Sequence, residues 1–294
     1  MRNINKIIII GGGQAAIYAV SAIRKHNKEA AISIFNEEAR LPYERPPLSK
    51  DFLMNKKKED EFLFFSKDFF KEHNVKYINK KIIKVDLINK LVFADHNNEF
   101  SYDKLLISTG STNRLLKVDD EIDDKILYLR NIDDAKKIKN KILKVNNIAI
   151  IGGGFIGLEI ASSLNQQNKS ISIIEISDQL MNRIVPSKIA NLVKDEHEKN
   201  GNKLFMNTKI KNIKKINENF KISLEDGTII EAEMIIAGIG SLPTDDLFVD
   251  TDLRIENGIL TDEFCQTSVN DVYAAGDVSN FYHPFYQDYM RLES

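Results

Sequence analysis

Four consecutive isoleucines, residues 7–10, run into three glycines and then into a helical spacing of apolar residues that lasts to about Lys25. A β-branched run this continuous reads as a strand buried on both faces. The same order returns later in the chain. Ile148, Ala149, Ile150 and Ile151 precede Gly152-Gly153-Gly154, and a second helical spacing follows. Each copy is succeeded by another strand-like run, AISIF at 31–35 and ISII at 171–174.

Shorter apolar runs fill the rest. Residues 82–85 (IIKV) and 91–93 (LVF) predict a small antiparallel excursion between the two copies. Residues 105–110 (LLISTG) read as a buried strand ending in a glycine turn, and 271–277 (DVYAAGD) as a short strand delivering an aspartate at another. Runs at 209–216, 221–224 and 234–240 complete the second half. The predicted fold class is α/β: two doubly wound dinucleotide-binding domains (Rossmann-like), one inserted into the other. The expected boundaries are 1–112 for the first part of an FAD-binding domain, 113–246 for an NAD-binding domain, and 247–294 for the remainder of the first.

Strand, glycine turn and helix in that order give the turns a chemical reading. The first glycine makes a tight turn, the second lets backbone approach a pyrophosphate, and the third lets helix and strand pack closely. The helix then offers its unpaired N–H groups and positive dipole end to the phosphates. The candidates are Gly11, Gly13, Ala15 and Ala16 in the first copy, where alanine takes the third place, and Gly152, Gly154 and Gly157 in the second. An acidic residue about 20 positions past such a turn accepts hydrogen bonds from ribose. Glu175 follows Gly152 by 23 residues at the end of the second strand, with no arginine before Arg183. That predicts NADH rather than NADPH. In the first copy Glu37 is the corresponding partner. A second dinucleotide beside NADH implies FAD, with hydride passing from nicotinamide to flavin.

Composition narrows the partners. The 294 residues are 43% hydrophobic and 29% charged with a formal net charge of −2, which suits two globular domains and gives no general attraction to nucleic acid or anionic membrane. Lys56-Lys57-Lys58 is followed at once by Glu59-Asp60-Glu61 and reads as a solvated face. Cys265 is the only cysteine, so no internal disulfide, Cys-x-x-Cys pair or multi-thiolate metal site can form. The start of the chain is too short in apolar residues for a signal segment, no stretch approaches a membrane span, and the cytoplasm is the default location.

One loop carries more chemistry than a connection needs. Residues 41–50, LPYERPPLSK, hold two adjacent prolines, a tyrosine, charged side chains and a closing lysine. With the two glycine turns and the YAAGD segment, this loop resembles the FAD-dependent ferredoxin and rubredoxin reductases, the type that includes putidaredoxin reductase and the reductases of ring-hydroxylating dioxygenases. The resemblance covers essentially the whole chain. It implies that Arg45 and Pro46 lie along the flavin, that Lys50 reaches the flavin N5 edge, and that Glu159 is the partner of that lysine. It further implies that Asp277 binds the ribityl chain, Ile83 meets adenine through its backbone, and Arg130 contacts FAD. Thr109 and Gly110 would hand the chain from one domain to the other. Gly240 and Pro243 match a family pattern near NAD, with Thr244 where asparagine is usual.

Absences choose the branch. Related disulfide reductases relay electrons through cysteine, but Tyr43 stands at the corresponding place here and Cys265 has no partner. No Gly-x-Ser-x-Gly segment exists, and the five histidines (His26, His73, His96, His197, His283) lack metal-ligand spacing; DEHE at 195–198 reads as a helix surface. Reduced flavin must therefore pass electrons to an external acceptor, a ferredoxin or rubredoxin in the leading reading. An NADH oxidase or quinone-type flavoprotein and a redox-gated, apoptosis-inducing-factor-like protein are the alternatives. The resemblance also implies a flavin-contacting helix and a further domain after Arg291-Leu292-Glu293-Ser294, so a fragment or a truncated form is expected.

Overall fold

The computed structural model describes residues 6–95, 98–118, 120–182 and 184–292. His96, Arg183, Glu293 and Ser294, each used above, lie outside them, as do residues 1–5. The chain divides into two compact units: 1–44, 62–112 and 241–294 form one, and 45–61 with 113–240 form the other. Two expected boundaries are thereby corrected. The loop 45–61 folds with the second unit although it lies inside the first stretch of sequence, and residues 241–246 fold with the first unit.

In the first unit five parallel strands lie in the order Val272–Ala274, Lys104–Ile107, Lys6–Ile10, Ala31–Asn36, Val75–Asn79. The isoleucine run is central, and its side chains alternate between faces as a strand requires. Ile7 and Ile9 pack with Ala16, Ile17 and Val20 of the helix Gln14–His26, while Ile8 and Ile10 meet Ile82, Val85 and Val92 of an antiparallel meander. All four isoleucines are buried, each worth about 1.5–3 kcal/mol against exposure. The helix ends where Arg24, buried, donates to the carbonyls of Asn27, Ala30, His73 and Asn74 at 2.7–3.2 Å. A guanidinium at the carboxyl ends of two helices satisfies acceptors that would otherwise be orphaned.

The second unit repeats the plan with four parallel strands, Lys203–Phe205, Ser170–Ile174, Asn147–Ile151 and Met234–Ala237. Ala149 and Ile151 face Ile213, Phe220 and Ile222 of a three-stranded meander. In both units the glycine-bearing strand sits between a strand that follows it directly and one that follows much later. Its carboxyl end is therefore the point at which strand order reverses, where open α/β sheets bind ligands. Among the described residues no helix is long and apolar enough to cross a membrane.

Candidate dinucleotide sites and the lysine–glutamate pair

The two glycine turns have the same geometry. Gly11 has φ +106° and Gly152 φ +105°, a region closed to other residues without strain. Each is also pressed against backbone: a Cβ at Gly11 would stand 2.1 Å from Ser108 O, and one at Gly152 2.3 Å from Gly238 O. Their N–H groups donate to the end of the next strand, Phe35 O and Ile174 O, both at 2.8 Å. The third places differ as sequence requires. A Cβ at Gly157 would lie 2.2 Å from Gly152 O, whereas Ala16 fits completely buried.

These turns suit a pyrophosphate on direct geometric grounds. Gly13 and Gly154 precede the helices Gln14–His26 and Phe155–Asn165, and neither helix start has a side-chain cap. A Cβ at either glycine would meet nothing within 4 Å. Open space beside uncapped helix N–H groups is what a phosphate needs. The middle glycines, absent from the sequence reading, are also constrained. A Cβ at Gly12 would sit 2.8 Å from Asn36 Cγ, and one at Gly153 2.6 Å from Leu180 Cδ2. Three successive glycines where the motif demands two was the available signal.

Acidic groups occupy the strand ends in different ways. Glu175 accepts Gly153 N–H at 2.6 Å on one oxygen and Ser177 N–H at 2.8 Å on the other. Its carboxylate is thus fixed over the second turn. Glu37 is exposed and pairs with Lys81 at 3.0 Å, while neighbouring Glu38 accepts the buried Tyr43 hydroxyl at 2.6 Å.

The remaining first-unit candidates sit in three places. The ladder of the strand Ile82–Asp86 pairs Ile82 with Ala94 and Lys84 with Phe93, so Ile83 is the bulge residue that it skips. Thr109 Oγ1 donates to Thr244 O at 2.6 Å and Thr244 N–H returns to Gly110 O at 2.9 Å. Threonine in place of asparagine thus serves here through its backbone. Asp277 is buried and accepts Ser111 Oγ at 2.9 Å. A Cβ at neighbouring Gly276 would be 3.2 Å from Ala15 Cβ, which sets the aspartate's turn against the first turn of the helix Gln14–His26.

From Arg45 onward the proline loop belongs to the second unit, which therefore holds Arg45, Pro46, Lys50 and Arg130. Arg45 donates to Arg130 O at 2.5 Å, and Arg130 N–H caps onto Asp134 at 3.1 Å. Pro46–Ser49 forms one 3-10 turn, with prolines in its first two positions. It brings Lys50 Nζ to 2.7 Å from Glu159 Oε2, across more than a hundred residues of sequence. On the same unit Gly240 has φ +103° and its carbonyl accepts Arg114 N–H.

One expectation about histidine is corrected. DEHE lies on the helix Ser187–Lys199, but His197 is buried, not superficial, and meets Asn202 at 2.8 Å through Nδ1. Its burial pushes its pKa down from the ordinary value. Cys265 is exposed, and burial of its thiol's surroundings and nearby Asp262 push its pKa up, away from thiolate chemistry.

Known proteins resemble the chain over nearly its whole length. The family model described as pyridine nucleotide-disulphide oxidoreductase matches residues 5–292. The chain is 32% identical over 290 residues to the rubredoxin-NAD(+) reductase of Ectopseudomonas oleovorans, covering 98% of this chain and 75% of the relative. It is 33% identical over 295 residues to the 3-phenylpropionate/cinnamic acid dioxygenase ferredoxin–NAD(+) reductase component of Photorhabdus laumondii, covering 100% and 74%. A solved ferredoxin reductase of Rhodopseudomonas palustris superposes with a TM-score of 0.95 at 25% identity, over 99% of this chain and 72% of that one.

Proposed function

We propose, since the chain belongs to the pyridine nucleotide-disulphide oxidoreductase family, that it passes electrons from NADH through FAD to a small iron–sulfur protein, a ferredoxin or rubredoxin. The single observation that carries this reading is the pair of matched glycine turns, each backed against a carbonyl and each opening onto an uncapped helix start. One chain with two such sites handles two dinucleotides. Relatives named as rubredoxin-NAD(+) and ferredoxin–NAD(+) reductases supply the acceptor class. The first unit is read as the FAD domain and the second as the NAD domain. A cytoplasmic location is part of the proposal, since the reaction draws on an NADH pool.

Bound flavin supplies the chemistry of accepting a hydride and releasing single electrons. What the chain itself does is bind, orient and hold charge. The turn at Gly11 and Gly13 and the helix after it would hold the FAD pyrophosphate, Glu37 the ribose, the Ile83 bulge the adenine, and Asp277 the ribityl chain. Gly152, Gly154 and Glu175 would hold NADH. Lys50, anchored on Glu159, presents a fixed ammonium that needs no reorganisation when negative charge develops nearby. Arg45 and Arg130, tied through the Arg130 carbonyl, are the further FAD contacts in this reading. Tyr43, hydrogen-bonded to Glu38, offers no thiol, so electrons leave to an external acceptor rather than through a cysteine.

The test is direct. The full chain is titrated with FAD, reduced with NADH under anaerobic conditions, and then offered ferredoxin, rubredoxin, quinone or oxygen. Flavin bleaching by NADH followed by fastest reoxidation with the iron–sulfur protein is expected. Reoxidation that oxygen or quinone drives faster would replace the acceptor; no bleaching by NADH would end the reductase reading.

A further inference from the structure

The carboxylate that meets Lys50 has a second donor on the same oxygen. Glu159 Oε2 accepts Lys50 Nζ at 2.7 Å and Ser49 Oγ at 2.6 Å. The two donors differ in setting: Ser49 is buried, whereas the Lys50 side chain is 43% exposed. The backbone of Ser49 is gripped as well, because Ser163 Oγ, also buried, donates to Ser49 O at 2.7 Å. Glu159 and Ser163 are four residues apart on the helix Phe155–Asn165 and so project from one face. That helix begins at the second glycine turn.

An exposed lysine–glutamate pair holds little geometry by itself, since two long side chains exchange freely with water. A buried hydroxyl on the shared oxygen changes this, because it fixes where the carboxylate can be. The turn bond from Ser49 Oγ to Pro46 O is the competing role, but at 3.4 Å it is much the weaker contact. We propose that Ser49 is a positioning residue: its hydroxyl, itself placed by Ser163, fixes the Glu159 carboxylate and thereby the position of the Lys50 ammonium. This rests on the reductase reading only for what the ammonium does, not for how it is held.

The experiment therefore has an arm without catalysis. The full chain, as purified, is trace-acetylated with acetic anhydride at one pH, and Lys50 modification is scored by peptide mass spectrometry against the exposed Lys188. In Ser49→Ala, Lys50 should react roughly two- to fivefold faster, the factor by which an exposed pair of this kind holds its amine. In a Glu159→Gln background the same substitution should have no further effect. Ser163→Ala, which leaves the hydroxyl in place but loosens its backbone, should change Lys50 labelling in the same direction and to a lesser extent. Unchanged Lys50 labelling in Ser49→Ala, or an equal change with and without Glu159, would overturn the proposal. In the flavin-loaded enzyme, Ser49→Ala should slow flavin reduction at saturating NADH while the KM for NADH holds. If wild type shows no reduction by NADH, the reductase reading falls and the labelling cycle still decides the role of Ser49.

Discussion

Nucleotide choice turns on one carboxylate whose surroundings allow the effect to be sized. Glu175 already accepts one backbone N–H on each oxygen, at 2.6 and 2.8 Å, and each carboxylate oxygen has room for a second donor. A ribose 2′-hydroxyl supplies one. A 2′-phosphate supplies none and brings like charge: at about 4 Å the repulsion is about 1 kcal/mol in water and about 4 kcal/mol at the effective dielectric of a protein surface. Glu175 is half-buried, so the net preference for NADH should be roughly 1–3 kcal/mol, or about 5- to 150-fold in kcat/KM. Glu175→Gln keeps an acceptor and removes the charge, and should narrow the ratio mainly by improving NADPH. Glu175→Arg should narrow it further or reverse it. That variant should also melt earlier, since the Gly153 N–H loses its partner at a cost of about 1–3 kcal/mol. Stopped-flow flavin reduction at subsaturating nucleotide is the assay. Equal rates with NADH and NADPH in the unaltered protein would refute the argument.

Gly11→Ala and Gly13→Ala should separate folding from binding: the first drives a Cβ onto Ser108 O at positive φ and should cost about 1–3 kcal/mol or more in thermal or urea unfolding, while the second should melt normally but bind FAD about tenfold more weakly, read by flavin titration. Lys50→Ala should lower the flavin midpoint potential and slow hydride transfer with FAD still bound, and the Lys50→Ala/Glu159→Ala cycle should be non-additive; additive effects would mean that the two side chains do not act together. His197 is held neutral by burial, so its stabilisation is present above the ordinary value of 6.5 and lost as pH falls through the depressed folded value. Melting temperatures between roughly pH 7 and 5 should drop more steeply for the unaltered chain than for His197→Gln, and parallel slopes would contradict this.

The dinucleotide turns were legible because their constraints are local. A glycine backed against the strand beside it, a helix starting three residues later and an acid at the next strand end all follow from one short segment, so Gly11, Gly152, Gly157 and Glu175 could be read directly. Features set by packing outside such a segment were not. His197 looked superficial because DEHE is charged on both sides, yet Asn202 and the helix's inward face bury it. Ser49 gives no local sign of its role because its acceptor lies 110 residues away.

The loop 41–50 shows the same division within ten residues. Its beginning, through Tyr43 and Glu44, stays with the first unit: Tyr43 bonds Glu38, and Glu44 N–H donates to Phe62 O. From Arg45 onward the loop is tied into the second unit, to Arg130, Glu159, Ser163 and, through Phe52, to Lys139 at 4.0 Å from the ring. Sequence order assigns residues 45–61 to the first unit because they lie inside its first stretch, and the charged run 56–61 that closes the excursion reads only as a solvated face. The prolines are the clue at its start. They fix φ through Pro46 and Pro47, so the turn is rigid before it finds its partners, and a rigid turn can be held by a few side chains of a foreign helix. The loop's chemistry was therefore readable from its residues, while its allegiance is decided by hydrogen bonds whose other halves lie 85 to 114 positions away.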